Sequence, residues 1–293
     1  MDCTNSSRRS LAPPSAWSLY VFMNYELLDS GFGQKLERFH QYTLIRPCQQ
    51  AIWRTQRPDL WSAADASFSR DDGNRWTYKK KMPKEWTASI GGVQFKIAPT
   101  DFGHLGVFPE HADLWQWMRP FIQPQDRILN LFAYSGGVTL AAAQEGAQVC
   151  HLDASKGMVD WARENAKLNQ LEKAPIRWIV DDALKFLRRE VKREVRYEGI
   201  ILDPPTFGRG AKGEIFKIEE EILPLLQLCK EVLSSSPKFI AFSCHTPGFT
   251  PIVMEHLMRQ IMPKGSIATG EMTLHSPNAL SVPSGSFARW THV

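Results

Sequence analysis

The chain has 293 residues, is 43% hydrophobic and 23% charged, and carries 35 Lys/Arg against 31 Asp/Glu for a net charge of +4. Those proportions exclude a disordered chain, and so small an excess argues against a histone-like or polybasic binder without excluding nucleic acid. At roughly 100–200 residues per domain the length suggests about two domains, and no apolar run of about 18 or more residues is present to form a membrane-spanning helix.

Residues 1–19 are polar and then Pro-rich and read as a poorly ordered tail, without the apolar core and cleavage site of a secretory signal. Residues 20–112 lack long helical periodicity. RWTYKKKM (75–82), WTASI (86–90) and VQFKIAP (93–99) are aromatic or β-branched runs, and Gly91-Gly92 predicts a hairpin turn between the last two. A small antiparallel β-rich domain is expected. Residues 70–96 hold seven basic and three acidic side chains, so this segment alone matches the excess of the whole chain. Lys79, Lys80, Lys81 and Lys84 interleave there with Trp76, Tyr78 and Trp86. Such a stretch suits phosphates and stacked, unpaired bases, and it also suits a solvated hairpin face. DLWQWMR (113–119) then starts a helix with Asp113 as its N-cap, and Pro120 ends it.

Past Pro120 the pattern alternates. Strands are expected at 127–132, 148–153, 176–181, 198–203 and 238–244, and helices at 138–144, 156–169, 183–194, 218–233 and 252–262. Five such units predict an α/β domain over 113–293, with an open, doubly wound, mostly parallel sheet covered by helices on both faces. Ligands of such sheets sit at the carboxyl ends of the strands, which makes the strand ends the residues to read.

The first strand ends in NLFAYSGG (130–137), a glycine turn against a helix N-terminus that lets backbone approach a ligand. It is not the GxGxxG dinucleotide fingerprint. The second ends in Asp153, which can accept ribose hydroxyls or cap the next helix. The third ends in Asp181-Asp182-Ala183, an acid for an adenine amino group or a solvated cap. The fourth ends in DPPTFGRGAKGE (203–214), the most specific signal. Its two prolines stop the sheet and stiffen the exit, holding Asp203, Thr206 and Phe207 in place. Phe207 can face a planar base, and Arg209 and Lys212 lie on a glycine-rich loop suited to phosphates. The fifth strand ends in FSCHT, where Cys244 reads as a thiolate nucleophile or as a buried strand-end residue, with His245 as a candidate base. The five cysteines (Cys3, Cys48, Cys150, Cys229, Cys244) are odd in number and form no CxxC pair. They predict no disulfide framework and no metal site, and a reducing, cytoplasmic setting.

FGHLGVFPEHADLWQWM (102–118), LNLFAYSGGVTLAAA (129–143), HLDASKGMVDWARENAKLN (151–169), DDALKF (181–186), ILDPPTFGRG (201–210) and SGSFARW (284–290) resemble the class I S-adenosylmethionine-dependent methyltransferases. The resemblance is to the bacterial family related to the large-ribosomal-subunit cytosine-5 methyltransferases, and it covers about residues 24–293. It implies a Rossmann-like sheet and S-adenosylmethionine as cofactor. By the same resemblance Ala133, Tyr134, Ser135, Gly136 and Gly137 hold the methionine end, Asp153 the ribose, and Asp182 the adenine, with Asp181 less favoured. Asp203, Pro204 and Pro205 border the transferred methyl and the target base, and Phe108 and His111 belong to a loop that folds over the cofactor. Cys244 matches the nucleophilic cysteine of the cytosine-5 relatives, whereas DPPTF is shared with relatives that modify a guanine nitrogen. The implied function is RNA base methylation, on ribosomal RNA, with cytosine C5 slightly ahead of a guanine nitrogen and Lys79, Lys80, Lys81, Phe207, Arg209 and Lys212 as substrate contacts. The cytosine-5 relatives carry an extra N-terminal RNA-binding module for which 293 residues leave no room. The rival readings are a methyltransferase of a small molecule or protein, and a non-catalytic RNA-binding protein that keeps a cofactor pocket.

Overall fold

The computed structural model describes residues 24–210, 213 and 215–292. The tail expected at 1–19 and the candidate Lys212 lie outside the described residues. Strands β1 (Tyr25–Gly31), β2 (Gln34–Phe39), β3 (Tyr42–Pro47), β4 (Ala66–Ser69) and β5 (Arg75–Tyr78) form a sheet in chain order, with the short helix α1 (Pro58–Trp61) between β3 and β4. All its pairings are antiparallel except β3 with β4. The strand expected over 75–82 is only Arg75–Tyr78. The lysines that follow have no buried face to lay on the sheet, and Lys80 turns back to pair with Asp65 at 2.8 Å.

The first three strands carry no clean apolar alternation, because their inward positions include polar groups that satisfy one another. Asp29, Ser30 and Glu37 are fully buried and Arg46 is nearly so. Arg46 donates to both Glu37 carboxylate oxygens at 2.8 and 3.0 Å, and the Tyr25 hydroxyl donates to the same carboxylate at 2.9 Å. Asp29 accepts the backbone N–H groups of Gln56 and Arg57 and the indole N–H of Trp61. Such mutual pairing is what makes buried charge tolerable.

β6 (Trp86–Ile90) and β7 (Val93–Ile97) form the hairpin predicted at Gly91-Gly92. Both glycines are left-handed, at φ +57° and +80°. A two-residue turn that matches the strand twist requires this. A 3₁₀ turn at Pro109–His111 leads into helix α2 (Ala112–Met118). Asp113 therefore lies inside the first turn and is not the N-cap, since Pro109 starts the helical backbone early. The helix passes into a second 3₁₀ turn, Arg119–Phe121, that contains Pro120.

The larger sheet contains β8 (Arg127–Leu131), β9 (Gln148–Asp153), β10 (Ile176–Val180), β11 (Gly199–Leu202), β14 (Phe239–Cys244), β15 (Ser266–Leu274) and β16 (Val282–Thr291). Their spatial order is β10-β9-β8-β11-β14-β16-β15. The first five are parallel, and β16 pairs antiparallel with both β14 and β15. The crossover helices are α3 (Gly137–Gln144), α4 (Lys156–Leu168), α5 (Ala183–Lys192), α6 (Ile218–Glu231) and α7 (Pro251–Ile261). A two-stranded ribbon, β12 (Phe207–Arg209) with β13 (Ile215–Lys217), sits between β11 and α6. The five parallel strands and their helices lie where the alternation predicts them. The C-terminal hairpin β15–β16 lies beyond the last predicted element, and Pro283, Ser284, Gly285 and Ser286 give β16 no apolar run to signal a strand. Within β16 the period of two still operates: Val282, Ser284, Ser286, Ala288 and Trp290 face inward.

Alternate residues of the central strands feed two cores. Ile128, Val149, Ile201, Phe239 and Ala241 pack with α2, α3, α4, the β6–β7 hairpin and the N-terminal sheet. Leu129, Leu131, Cys150, Leu152, Ile200, Leu202, Ile240, Phe242 and Cys244 pack with α5, α6 and α7. The two sheets thus share one apolar core, and strands buried on both faces read as unbroken apolar runs.

Candidate active site

A cavity of about 890 Å³ opens where β8, β9 and β11 end, bounded by Tyr134, Asp153, Asp182, Asp203 and Phe108. Its volume lies in the ordinary range of small-molecule sites. It lies beside the point where strand order reverses, between β8 and β11.

The turn after β8 is wound tightly. Phe132, Tyr134 and Gly136 all have positive φ, at +56°, +49° and +93°. For a side-chain-bearing residue this costs on the order of 1–2 kcal/mol, so the surroundings must impose it. Asp153 Oδ2 accepts the Tyr134 N–H at 2.9 Å, Asn165 Nδ2 donates to the Ser135 carbonyl at 2.9 Å, and the Ser135 hydroxyl donates to the Gly106 carbonyl. Beneath the turn Asn130 Nδ2 donates to Thr139 Oγ1, which contacts His151 Nδ1 at 2.9 Å. Burial pushes the His151 imidazole down to about 3, so it is neutral. The turn delivers Ala133, Ser135 and Gly137 to the N-terminus of α3, where free N–H groups favour an anionic ligand group.

Asp153 ends β9, and each of its oxygens accepts one backbone N–H, from Tyr134 at 2.9 Å and Ser155 at 2.8 Å. A carboxylate offers about four acceptor directions, so roughly two remain for the hydroxyls of a ribose. Burial raises its pKa, and the two amides oppose that. Asp182 is the N-cap of α5 and accepts the Lys185 N–H at 2.9 Å. The cap and ligand readings of this residue are compatible, because it caps the helix and also borders the cavity. Asp181 borders it as well, but its carboxylate is paired with Arg189.

Asp203 follows β11. Its Oδ1 accepts the Ser243 hydroxyl at 2.7 Å, and its Oδ2 lies 3.5 Å from His111 Nε2 and 3.6 Å from His245 Nε2. The two imidazoles face each other, with Nε2 atoms 3.3 Å apart and rings nearly parallel at 10°. Burial alone would raise the Asp203 pKa, but the two histidines hold the carboxyl well below its usual range. Burial opposes charging of His245, and Asp203 outweighs it, lifting the ring to about 9. His111 is more deeply enclosed, and burial keeps its pKa low despite the same carboxylate.

Phe108 lies over this group, its ring centroid 5.0 Å from Tyr134 and 6.0 Å from His245. The segment carrying Phe108 and His111 is pinned at Gly106, where a Cβ would fall 2.2 Å from Trp161.

Cys244 lies apart from these side chains. It is 1% exposed, and its side chain packs among the α5–α7 face. Strand periodicity explains this: Ser243 reaches Asp203 and His245 points the same way, so Cys244 between them points to the opposite face. Burial raises its thiol pKa, although the Thr246 N–H donates to its sulfur at 3.4 Å.

The expected substrate contacts are dispersed. Pro204, Pro205 and Arg209 border the cavity, while Phe207 is half exposed under the Arg209 guanidinium. Lys80 is paired with Asp65, and Lys79 donates to the Ser62 carbonyl. Lys81 is exposed and lies outside the cavity lining. Trp76 and Trp86 spend their indole N–H groups on the carbonyls of Thr100 and Phe39. Sequence reasoning did not bring His111, His245 and Asp203 together, and it missed Ser243 and Asn165. The one available signal was the spacing of Ser243, in β14, and His245, just past its end, which puts them on one face of the strand exit.

A sequence model of the S-adenosylmethionine-dependent methyltransferases matches residues 65–257, two thirds of the chain. The chain belongs to this family. It is 38% identical to a SAM-dependent methyltransferase of solved structure from Agrobacterium tumefaciens, with a TM-score of 0.88 over 92% of this chain and 90% of that one. It is also 34% identical over 180 residues to a ribosomal RNA large subunit methyltransferase K/L from Pseudoalteromonas translucida, covering 60% of this chain and 24% of that protein. To a ribosomal RNA large subunit methyltransferase I from Salmonella arizonae it is 29% identical over 170 residues, covering 57% of this chain and 40% of that protein. The match thus spans well under half the length of these curated relatives. S-adenosylmethionine is the cofactor of the family, and this methyltransferase has the donor set for it. The α3 N-terminus can take a carboxylate, Asp153 keeps acceptor capacity toward the cavity, and the volume is sufficient.

Proposed function

We propose that this methyltransferase methylates a nucleobase of large-subunit ribosomal RNA, and that the acceptor atom is a nitrogen. The observation that carries the reading is the rigid Asp203-Pro204-Pro205 exit bordering the cofactor cavity, with the Cys244 thiol at the neighbouring strand end turned into the opposite core. When bound, S-adenosylmethionine supplies a methyl group already activated on a sulfonium. The α3 N-terminus, Asp153 and Asp182 would hold the cofactor, and Phe108 and Tyr134 exclude water from it. The strand exit holds the acceptor edge. A nitrogen lone pair needs little beyond such alignment. Cytosine C5 needs prior attack by a thiolate at C6, and Cys244 is buried on the far face with a raised pKa. The DPPTF sequence, shared with guanine-nitrogen relatives, and the names of the matched proteins support the RNA reading.

Nucleoside mass spectrometry of ribosomal RNA from a strain lacking the gene tests it. One methylated base is expected to disappear. Unchanged base methylation in every RNA class would sink it. A second reading, methylation of a small molecule or protein, is favoured by the internal pairing of Lys80, Trp76 and Trp86. Activity on RNA should fall steeply with salt, whereas a small neutral acceptor would be insensitive to it.

A further inference from the structure

We infer that His111, Asp203 and His245 form a three-ligand site for a zinc-class divalent cation, with its open position toward the cofactor cavity. Their ligand atoms make a nearly equilateral triangle, with edges of 3.3 Å between the two Nε2 atoms and 3.5 and 3.6 Å from these to Asp203 Oδ2. A tetrahedral zinc bound by nitrogen and oxygen at about 2.0–2.2 Å needs its ligand atoms about 3.3–3.6 Å apart. Right-angled octahedral ligands at the same bond lengths would sit nearer about 3.0 Å, so the spacing favours zinc over magnesium.

The supporting contacts also fit. The outer oxygen of Asp203 is held by the Ser243 hydroxyl at 2.7 Å, which leaves Oδ2 facing the triangle. The Ser284 main chain lies beside the His245 ring, whose Nε2 faces inward. Partners of this kind orient ligands and set their basicity in zinc sites. Three protein ligands with a free fourth position make the catalytic rather than the structural form of such a site. The open position is on the cavity side, where His245 and Asp203 form part of the wall. Its fourth ligand would be an oxygen of the acceptor, a keto group if the acceptor is a base. The cation site itself does not depend on the RNA reading.

The test is calorimetric titration of the chelator-treated full chain with zinc chloride and, separately, magnesium chloride. One zinc per chain is expected, with magnesium at least about tenfold weaker. Ser243→Ala, which keeps all three ligands, should weaken zinc by about 10–100-fold. His111→Gln with His245→Gln should abolish the stoichiometric site, and His245→Cys, still a zinc ligand, should retain it. Cobalt in place of zinc should give the intense visible absorption of a tetrahedral site. Absence of a stoichiometric zinc, or equal binding by the double variant, would overturn the assignment. Should the double variant melt earlier than the metal-free parent, Ser243→Ala and His245→Cys decide: wild-type affinity in the first or loss of binding in the second counts against it.

Discussion

Gly106→Ala should destabilise the protein and weaken the cofactor site together. Gly106 is buried with φ +88°, and an added Cβ would fall 2.2 Å from Trp161 Cζ2. The left-handed backbone costs about 1–2 kcal/mol for a residue with a Cβ. Displacing a packed indole adds about 1–3 kcal/mol. The sum, about 2–5 kcal/mol, lowers the melting temperature by roughly 5–15 °C. The indole cannot yield freely, since it donates to the Lys96 carbonyl at 3.1 Å and lies under the Lys96 ammonium. The Gly106 carbonyl also accepts the Ser135 hydroxyl, so a shift here disturbs the cofactor turn. Urea denaturation would give the stability, and calorimetry with S-adenosylhomocysteine the binding. Adding Trp161→Ala should cancel the steric part and leave the backbone part, a coupling of about 1–3 kcal/mol in the double-mutant cycle. A Gly106→Ala protein as stable as the parent, or a cost unchanged by Trp161→Ala, would refute the argument.

Asp153→Asn keeps the volume but loses the charged acceptor, and should weaken S-adenosylhomocysteine by about 10–100-fold in calorimetry with the fold intact. Cys244→Ala should keep methyl transfer within a fewfold of the parent in a radiolabelled-methyl assay; loss of activity in a folded protein would restore the thiolate route. Burial raises the Glu37 pKa, but Arg46 and Lys35 outweigh it and hold the carboxyl below its usual range. Its contribution to stability is therefore complete above about pH 4.3 and is lost as pH falls through the lowered native value. Urea midpoints measured from about pH 6 to 3 should fall more steeply for the parent than for Glu37→Gln, which lacks that titration.

The sequence by itself determined the α/β alternation, the Gly91-Gly92 hairpin turn and the acids that end β9 and β11. Each follows from local rules: a period of 3.6 or 2, left-handed turn residues, and prolines that stop a strand. The N-terminal strands were legible only as a β-rich region, since Asp29, Glu37 and Arg46 interrupt their apolar pattern and are explained only by partners elsewhere in the chain. The C-terminal hairpin was hidden because Ser284 and Ser286 fill inward positions of β16 that only the tertiary structure buries. What only the tertiary structure decided is which side chains meet. His111 lies 92 positions before Asp203 and His245 lies 42 after it, and they converge because β11 and β14 are neighbours under the Pro109–His111 turn. The same pairing sends Cys244 to the opposite core. That face is a parity of strand residues that becomes chemistry only once the neighbouring strand is known.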